Sequence, residues 1–465
     1  REDILKAFYR SIIPGFQGNS FDLWALILLE TCQSKGGGEK TQLEFNTIKG
    51  FKDILPDEVG TWQMLESAAR RIFECFGYKE IKPPLLEWTE LFSRGIGEET
   101  DIVSKEMYTL YNSKGRGMTL RPEATASVIR ACIQNRLYHQ NPLLKLYTIG
   151  PMFRHEQPQH GRFRQFHQIN AELFGNKGPK SDADLVVMAM NLFDAIGVQD
   201  LVLKVNSLGC PECRPQFRSA LKDFLRNRSD ALCVDCKKRS ELNPLRVFDC
   251  KVEGCNRLVD DAPSIHDFLC RDCIDHFDQF QQYLNSSGIP FSLDHRLVRG
   301  LDYYCRTTFE IQTDRLGAQN AVAGGGRYDG LVKTLGGPDV PGIGFAVGIE
   351  RLAELLESDG RPEQKRPDIF IAALGDRAEK ECFKLAIELR KNGFLTEMDY
   401  DSKGLKAQMK RAGKLGSERV LIVGDEELTS GKAVLRDMNS KEQEEVDLNN
   451  ILQKLKDIIH NDGNS

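Results

Sequence analysis

One stretch of the sequence gives the clearest prediction of the central sheet. It reads Gly150-Pro-Met-Phe-Arg154-His-Glu156-Gln-Pro-Gln159-His-Gly-Arg162-Phe-Arg164-Gln-Phe-His-Gln168-Ile-Asn-Ala-Glu172. Apolar and polar residues alternate in its second half, which predicts a β-strand with Gln168, Asn170 and Glu172 on one face. Polar side chains that are buried without partners cost free energy. This face is therefore expected to meet a polar ligand or another polar surface.

The first half of the same stretch predicts a second strand and a loop. Arg154 and Glu156 are two residues apart and are therefore predicted to share a strand face. Gln157–Gly161 contains proline and glycine, which favour a loop. Two strands joined by a basic loop are suited to hold a polyphosphate. A polar sheet face with surface ion pairs is an equally good interpretation of this pattern alone.

Four further polar segments lie on either side of this stretch. Three consecutive glycines let a backbone approach a ligand closely, although they are equally consistent with a plain turn. Glycines before a predicted helix can place an anion at the helix N-terminus, where the backbone dipole favours negative charge. The four segments are Leu120-Arg121-Pro-Glu123-Ala-Thr125, Leu297-Val-Arg299-Gly-Leu-Asp302-Tyr303-Tyr304, Ala323-Gly-Gly-Gly326-Arg327-Tyr-Asp329-Gly330 and Gly344-Phe-Ala-Val-Gly348-Ile-Glu350-Arg351-Leu352.

The composition is typical of a soluble globular protein, with 40% hydrophobic and 28% charged residues. The formal net charge is −5, so a nucleic-acid partner would have to be held by a local basic surface. No apolar run approaches the roughly 20 residues that a membrane-spanning helix needs. The best candidate, at Trp24–Leu29, is too short and is predicted to be a buried or partner-facing helix.

Breaks in the pattern divide the chain into three parts. Residues 1–45 form an N-terminal segment to which we assign no role. Residues 46–366 are predicted to form the main domain, including a polar, helix-rich and cysteine-rich insertion at about 176–290. Proline and charge in Ser358–Pro367 indicate a boundary. Residues 367–465 alternate strands with helices, which predicts a small α/β domain with partly parallel strands.

Taken together, the five polar segments resemble the histidyl-tRNA synthetases, which are class II aminoacyl-tRNA synthetases. The stretch ending at Pro84 resembles the first class motif, which builds a dimer interface, and Phe153–Glu156 and Gly348–Arg351 resemble the second and third. Leu297–Tyr304 and Gly324–Asp329 resemble two signatures peculiar to the histidine enzymes. Five matches in order are far more specific than any one of them.

The resemblance runs from about Thr47 to about Ile459 and implies an α+β fold. It implies an antiparallel-sheet catalytic domain with a helical cysteine-rich insertion, followed by a C-terminal α/β anticodon-binding domain. It also implies a cytoplasmic homodimer that acts as a histidine–tRNA ligase. Such an enzyme uses ATP with Mg²⁺ to convert L-histidine to histidyl-adenylate and then transfers histidine to the 3′ end of tRNA(His).

The resemblance assigns roles to individual side chains. Arg154 and Arg299 are the expected catalytic residues beside the α-phosphate, since a guanidinium suits both phosphate and carboxylate. ATP is expected to contact Arg154, Glu156, Arg162 and Arg351. The residues expected to bind histidine are Glu123, Thr125, Gln168, Glu172, Arg299, Tyr303 and Tyr304.

Eight of the thirteen cysteines lie close together in the predicted insertion. In a chain without a secretion signature, such a cluster indicates a metal site in a reducing compartment rather than disulfides. Four thiolates complete a tetrahedral Zn²⁺ shell, so eight are enough for two structural zinc ions. Partly buried free thiols are the alternative. The eight are Cys210, Cys213, Cys233, Cys236, Cys250, Cys255, Cys270 and Cys273.

Two alternative functions are consistent with parts of the sequence. A catalytically inactive paralogue that binds histidine as a regulatory subunit would keep the main fold, but it would lack the last domain and lose the ATP-site arginines. A zinc-organised RNA-binding protein would need no ATP site. In the last domain, a basic cluster on a predicted helix is suited to tRNA phosphates, although a solvated helix face explains it equally well. This cluster comprises Lys403, Lys406, Lys410, Arg411 and Lys414.

Overall fold

A computed structural model describes residues 45–98, 100–157, 161–316, 320–358 and 366–462. The N-terminal segment predicted at 1–45, with its helix at Trp24–Leu29, lies outside these residues apart from Phe45. Within the described ranges, no helix is long and apolar enough to cross a lipid bilayer.

The strands are numbered here in chain order. They are β1 (Lys79–Glu80), β2 (Leu86–Trp88), β3 (Tyr108–Tyr111), β4 (Gly117–Leu120), β5 (Leu144–Phe153), β6 (Gln165–Phe174), β7 (Val202–Ser207), β8 (Ser292–Leu293), β9 (Cys305–Gln312), β10 (Ala321–Arg327), β11 (Gly342–Gly348), β12 (Ile369–Leu374), β13 (Thr396–Met398), β14 (Arg419–Gly424), β15 (Lys432–Asp437) and β16 (Gln443–Asp447).

The α-helices are numbered in the same way, and shorter 3₁₀ turns and one π-helical segment at Ile102–Glu106 lie between them. The α-helices are α1 (Pro56–Cys75), α2 (Thr89–Ile96), α3 (Thr125–Gln134), α4 (Leu137–Gln140), α5 (Pro179–Ala195), α6 (Arg214–Arg226), α7 (Val234–Leu242), α8 (Glu253–Leu258), α9 (Arg271–Ser286), α10 (Leu331–Thr334), α11 (Ile349–Ser358), α12 (Asp376–Lys391), α13 (Leu405–Leu415), α14 (Asp425–Ser430) and α15 (Ile451–Asp462).

The centre of the fold is an eight-stranded sheet in the order β1-β5-β6-β11-β10-β9-β7-β8. The six middle strands are antiparallel, and only the short edge strands β1 and β8 pair in parallel. The predicted antiparallel catalytic sheet is therefore confirmed. Two of the pairings, β6 with β11 and β7 with β9, join parts of the chain that are far apart in sequence. The polar residues of β6 and of β9 to β11 therefore meet on one sheet.

Strand β6 has two chemically different faces. Ile169, Ala171 and Leu173 are fully buried in the main hydrophobic core, which helices α1, α5, α9 and α11 cover. Gln168 and Asn170 point to the opposite side of the sheet, as the alternation in sequence predicts. Burial of the odd-numbered side chains thus fixes the register that presents the even-numbered ones.

One prediction about the first strand of this pair is wrong. Strand β5 ends at Phe153, so Arg154 and Glu156 do not share a strand face. The chain leaves the sheet because the His155 N–H donates to the Glu106 carbonyl, 2.7 Å away and outside the sheet. Both side chains nevertheless stay on the same side of the molecule.

The cysteine-rich part forms a small compact module with its own core. Phe217, Leu221, Leu225, Val247 and Ile265 are buried in it together with three of the cysteines. Helix α5 and strand β7 fall within the range 176–290 but pack into the main core and the large sheet. The part of that range that packs separately is therefore shorter than the range itself.

The last part of the chain has a five-stranded sheet in the order β13-β12-β14-β15-β16. The first three strands are parallel, whereas β15 and β16 are antiparallel. Helices α12 and α15 contribute buried residues to its separate core. The predicted α/β domain with partly parallel strands is confirmed.

Candidate active site

An open cavity of about 530 Å³ lies over the sheet face that carries Gln168 and Asn170. Its walls come from the loop before α3, the β5–β6 connection, the segment before β9, strands β9 to β11 and the cysteine-rich module. Ten of the residues that sequence predicts for the site line it: Glu123, Thr125, Arg154, Glu156, Arg162, Gln168, Arg299, Tyr303, Tyr304 and Arg351.

Arg154 is fixed at the point where β5 leaves the sheet. Its Nε donates to the Pro122 carbonyl at 2.9 Å, and its guanidinium lies 5.2 Å from the centre of the Phe166 ring. One terminal nitrogen is 3.8 Å from Glu156. The side chain is therefore oriented by three neighbours before any ligand binds, which lowers the cost of ordering it on binding.

Arg299 lies flat against strand β10, close to Gly324. A Cβ on Gly324 would overlap the Arg299 guanidinium, so only glycine leaves room for it. One end of the guanidinium donates to Glu310 on the neighbouring strand, while its buried Nε has no hydrogen-bond partner among the described residues. Burial acts to lower the pKa of Arg299, but the combined attraction from Glu310, Tyr304 and Asp249 keeps that pKa above its ordinary value.

Positive charge also collects at the side of the cavity formed by the β5–β6 loop and helix α11. Arg162 donates to Glu156 at 2.9 Å, and Arg351 donates to the Ala321 carbonyl. Burial lowers the pKa of Arg351, and repulsion from Arg162 acts in the same direction. Like charges held together in this way favour an anionic ligand.

A different set of groups lies near the start of helix α3. Glu123 is buried, and its carboxylate accepts the N–H groups of Thr125 and Ala126 at 2.7 and 2.9 Å. It therefore also stabilises the helix N-terminus. Gln168 Oε1 and Asn170 Nδ2 are buried without hydrogen-bond partners among the described residues. Buried polar atoms without partners are costly, which indicates that a polar ligand binds there.

Glu172 lies beneath the floor and is not one of the residues that line the cavity. Thr125 Oγ1 donates to one carboxylate oxygen at 2.6 Å, and the Tyr328 hydroxyl donates to the other. Burial raises the pKa of Glu172 to about 8, although both hydrogen bonds favour the ionised form. Glu172 therefore orients the hydroxyl groups of Thr125 and Tyr328, and Thr125 lines the cavity.

Tyr303 and Tyr304 form an aromatic wall beside this end of the cavity. Their ring centres are 4.7 Å apart, and both rings also contact Tyr328. Tyr304 is buried and Tyr303 half-buried. Desolvation raises the pKa of both hydroxyls, so they remain hydrogen-bond donors at neutral pH.

The second glycine-rich signature serves the structure around the site. Arg327 is fully buried and donates to Asp182 and to Asp329, the latter at 2.8 Å. This ion pair joins the end of β10 to helix α5. Asp329 is thus an ion-pair partner of Arg327, and the three glycines lie within a strand rather than in a turn.

The eight cysteines form two separate groups of four. In each group the four sulfur atoms lie within 4.8 Å of one another. The groups are Cys210, Cys213, Cys270 and Cys273, and Cys233, Cys236, Cys250 and Cys255. Individual sulfur–sulfur distances of 3.5 and 3.8 Å in the first group and 3.9 Å in the second are close to the roughly 3.8 Å edge of a tetrahedron with about 2.3 Å metal–sulfur bonds. Either group is able to hold a metal ion.

Sequence reasoning missed several residues around the cavity. Tyr328 and Glu310 lie in or next to strands whose alternation was readable, so their face was in principle predictable. Arg239, Arg246, Asp249 and Lys251 belong to the cysteine-rich module and also line the cavity. No local pattern connects these four to the site, because their position depends on how the module docks.

Comparison with known proteins gives consistent matches over most of the chain. The family described as "Histidyl-tRNA synthetase" matches residues 50–352, and that described as "Anticodon binding domain" matches residues 368–458. A histidine–tRNA ligase of Desulfatibacillum aliphaticivorans is 55% identical over 413 residues, covering 89% of this chain and 99% of the relative. One from Geobacter metallireducens is 54% identical over 400 residues, covering 86% and 96%.

A solved structure gives the same result. The apo histidyl-tRNA synthetase of Staphylococcus aureus superposes with a TM-score of 0.76 at 34% identity, covering 89% of this chain and all of that one. An antiparallel sheet with an arginine-lined cavity, followed by an anticodon-binding domain, thus defines a class II aminoacyl-tRNA synthetase. Within that class, the chain belongs to the histidyl-tRNA synthetase family.

Proposed function

We propose that this chain is a histidine–tRNA ligase that activates L-histidine with ATP and transfers it to the 3′ end of tRNA(His). The observation that carries the proposal is the composition of one cavity. Arg154, Arg299 and Arg351 line it together with the unpaired polar atoms of Gln168 and Asn170. Anion-binding and amino-acid-binding groups therefore share a single space, as a reaction between a carboxylate and a phosphate requires.

The first step joins the histidine carboxylate to the α-phosphate and releases pyrophosphate. Negative charge builds on the α-phosphate as the bond forms, so cations already in place lower the barrier. We assign this role to Arg154 and Arg299, whose guanidinium groups are held by Pro122, Glu310 and the flat strand at Gly324. Arg299 also contacts the histidine carboxylate in this proposal.

ATP binding is assigned to Arg154, Glu156, Arg162 and Arg351. Arg162 and Arg351 repel each other, and a triphosphate between them would relieve that repulsion. Glu156 is within reach of both Arg154 and Arg162 and is proposed to face the adenine amino group. Mg²⁺, when bound with ATP, would neutralise further phosphate charge.

Histidine is proposed to bind at the end near helix α3. Its ammonium group would meet Glu123, Thr125 and the unpaired Gln168 Oε1. Tyr303, beside Tyr304, would engage the imidazole. Glu172 would act on the other ring nitrogen from beneath the floor, through the Thr125 and Tyr328 hydroxyls that donate to its carboxylate. A site that offers partners for both ring nitrogens rejects amino acids that lack them.

Each cysteine group is proposed to hold one structural Zn²⁺. Four thiolates at tetrahedral spacing are the preferred shell for zinc, and the module has only a small core of its own. Thiolate ligands require a reducing environment, which supports a cytoplasmic location. The residues concerned are Cys210, Cys213, Cys270 and Cys273 for one ion and Cys233, Cys236, Cys250 and Cys255 for the other.

We propose that the enzyme is a homodimer. The small sheet β2-β4-β3 follows the segment that resembles the first class motif. Trp88, Leu110 and Tyr111 of that sheet are exposed. Trp88 and Leu110 both pair with Met118 and therefore share one face of the sheet. Exposed apolar side chains on one face are typical of a protein–protein interface, so this face is the proposed contact with a second copy.

The proposed domain limits are 46–366 for the catalytic part and 367–465 for the anticodon-binding part. In the latter, Lys406, Lys410 and Lys414 are exposed along α13, where they are available to tRNA phosphates. Arg411 pairs with Asp399, and Lys403 precedes the helix. The first three lysines are therefore the better candidates for tRNA contact.

Histidine-dependent exchange of labelled pyrophosphate into ATP tests the proposal. The wild-type protein should catalyse it, whereas an inactive regulatory paralogue would not. Arg299→Ala should abolish exchange, whereas histidine binding, followed by calorimetry, should be weakened but still measurable because the other histidine contacts remain. Arg296→Ala is the matched control, because Arg296 is exposed three residues away and pairs with Asp260. Exchange by Arg299→Ala at the wild-type rate would contradict the assigned role.

A further inference from the structure

The segment that joins the two halves of the second cysteine group also forms one wall of the active-site cavity. Helix α7 begins just after Cys233, and the 3₁₀ helix that follows ends at Asp249, just before Cys250. Four residues between or beside these cysteines line the cavity: Arg239, Arg246, Asp249 and Lys251. The module is thus part of the site rather than a distant appendage.

Polar contacts fix this segment to the catalytic loops. Arg246 donates to the Arg299 carbonyl at 3.0 Å and pairs with Asp249 at 2.8 Å. Asn243 donates to Asp302 at 2.8 Å, three residues beyond Arg299. The position of the module is therefore tied to the loop that carries a proposed catalytic arginine.

A second contact anchors the last turn of helix α7. Arg239 pairs with Asp101 at 3.1 Å, just before the π-helical segment. The backbone after Cys250 is also constrained, because the Val252 N–H points at the Cys250 sulfur at 3.4 Å. The residue between them, Lys251, therefore has a defined place on the cavity wall.

Lys251 adds a third cation to the ATP side of the cavity. Lys251 lines the same cavity as Arg162 and Arg351, and the carboxylates of Asp249 and Glu310 line it as well. Among the residues that the structure describes, none forms a hydrogen bond or an ion pair with Lys251. Its charge is thus available to a ligand that enters the cavity.

We propose that Lys251 binds the β- and γ-phosphates of ATP, so that the cysteine-rich module supplies a triphosphate ligand to the active site. The inference rests on the proposed function, since it assumes that ATP occupies this cavity. An ammonium is a compact charge with three donors, which suits phosphate oxygens. The neighbours of Lys251 are the arginines assigned to ATP, not the groups assigned to histidine, and this favours the triphosphate.

Equilibrium binding separates the phosphates that Lys251 contacts. We would titrate the full-length protein with a non-hydrolysable β,γ-imido ATP analogue and, separately, with AMP. Lys251→Ala should raise the dissociation constant of the analogue about tenfold, as expected for loss of a charge-assisted hydrogen bond. AMP affinity should stay within twofold, because AMP lacks the β- and γ-phosphates. The KM for ATP in pyrophosphate exchange should rise in parallel, with the KM for histidine unchanged.

Three further variants make the result decisive. Lys251→Arg should retain most of the affinity, whereas Lys251→Gln, which keeps a long polar side chain, should not. Lys238→Ala is the matched control, because Lys238 is exposed in the same module and does not line the cavity. The inference would be overturned if Lys251→Ala and Lys251→Gln both bound the analogue as tightly as the wild type does. It would also be overturned if that affinity were unchanged and only the KM for tRNA rose. Absence of exchange in the wild type would instead refute the proposed function.

Discussion

The guanidinium of Arg299 occupies the space that a side chain at Gly324 would fill. The two residues are 25 positions apart and belong to the two different signatures of the histidine enzymes. Glu310, on the strand between them in the chain, accepts a hydrogen bond from the same guanidinium. The two signatures thus act together: one supplies the Arg299 guanidinium, and the other supplies the strand surface at Gly324 on which that guanidinium lies.

Gly324→Ala should therefore inactivate the enzyme without unfolding it. The added methyl group would push the Arg299 guanidinium away, and a misplacement of about 1 Å is expected to cost about 100-fold in the activation rate. Single-turnover adenylate formation measures the effect. Gly330→Ala is the control, because a Cβ at Gly330 would meet nothing within 4 Å. Equal rates for both variants would exclude this function for Gly324.

Arg327→Ala should lower stability far more than Asp329→Asn. Arg327 and Asp182 are both fully buried, so removal of the arginine leaves a carboxylate without its main partner. Breaking a buried pair in this way costs about 3 to 5 kcal/mol. Urea unfolding of the two variants gives the comparison, and the partly exposed Asp329 provides the control. A loss for Arg327→Ala no larger than for Asp329→Asn would contradict the prediction.

Glu172 should make the stability of the protein depend on pH. Its pKa is raised from an ordinary value near 4.5 to about 8, so the folded state holds its proton more tightly than the unfolded state. The stabilisation from this protonation is complete below about pH 4.5 and is lost as the pH rises towards 8. Relative to Glu172→Gln, the wild type should therefore lose a few kcal/mol between pH 5 and pH 8.

Urea unfolding at the two pH values measures this difference. Glu253→Gln, at an exposed position on α8, is the control and should track the wild type at both pH values. A constant difference between wild type and Glu172→Gln across this range would show that the proton of Glu172 is not held in the folded state.

Metal analysis tests the cysteine groups. The purified protein should contain two zinc ions per chain, and Cys236→Ser and Cys213→Ser should each reduce this to one. Cys75→Ser should leave two, because Cys75 is exposed and belongs to neither group. Elemental analysis by mass spectrometry gives the count. If the wild-type protein unfolded at the same temperature with and without zinc, a structural role for the metal would be refuted.

The local parts of the site were predictable from sequence, whereas its assembly was not. Alternation in β6 correctly predicted which side chains share a face, because burial of the odd-numbered residues decides the register. The strand expected to include Arg154 and Glu156 ends at Phe153, because a backbone hydrogen bond from His155 to Glu106 draws the chain out of the sheet. That partner lies about 50 residues away, where no local pattern indicates it.

Two other differences between the sequence-based expectation and the structure also arise from contacts between residues that are far apart in sequence. Glu172 was expected to touch the ligand, yet it lies under the floor because Tyr328, 156 residues later, binds it there. The cysteine spacing indicated a metal site, but nothing near Lys251 indicated a cavity. Its place depends on contacts such as the one between Arg246 and Arg299, which are 53 residues apart.

The two-sided character of β6 limits how such an enzyme can change. Inserting or deleting one residue in that strand would exchange its faces, sending Ile169 and Ala171 towards ATP and histidine and forcing Gln168 and Asn170 into the apolar interior. Substrate preference can therefore change at this strand only by substitution of the residues that face the cavity, such as Gln168 and Asn170. Changes in chain length have to be absorbed by the connections at either end.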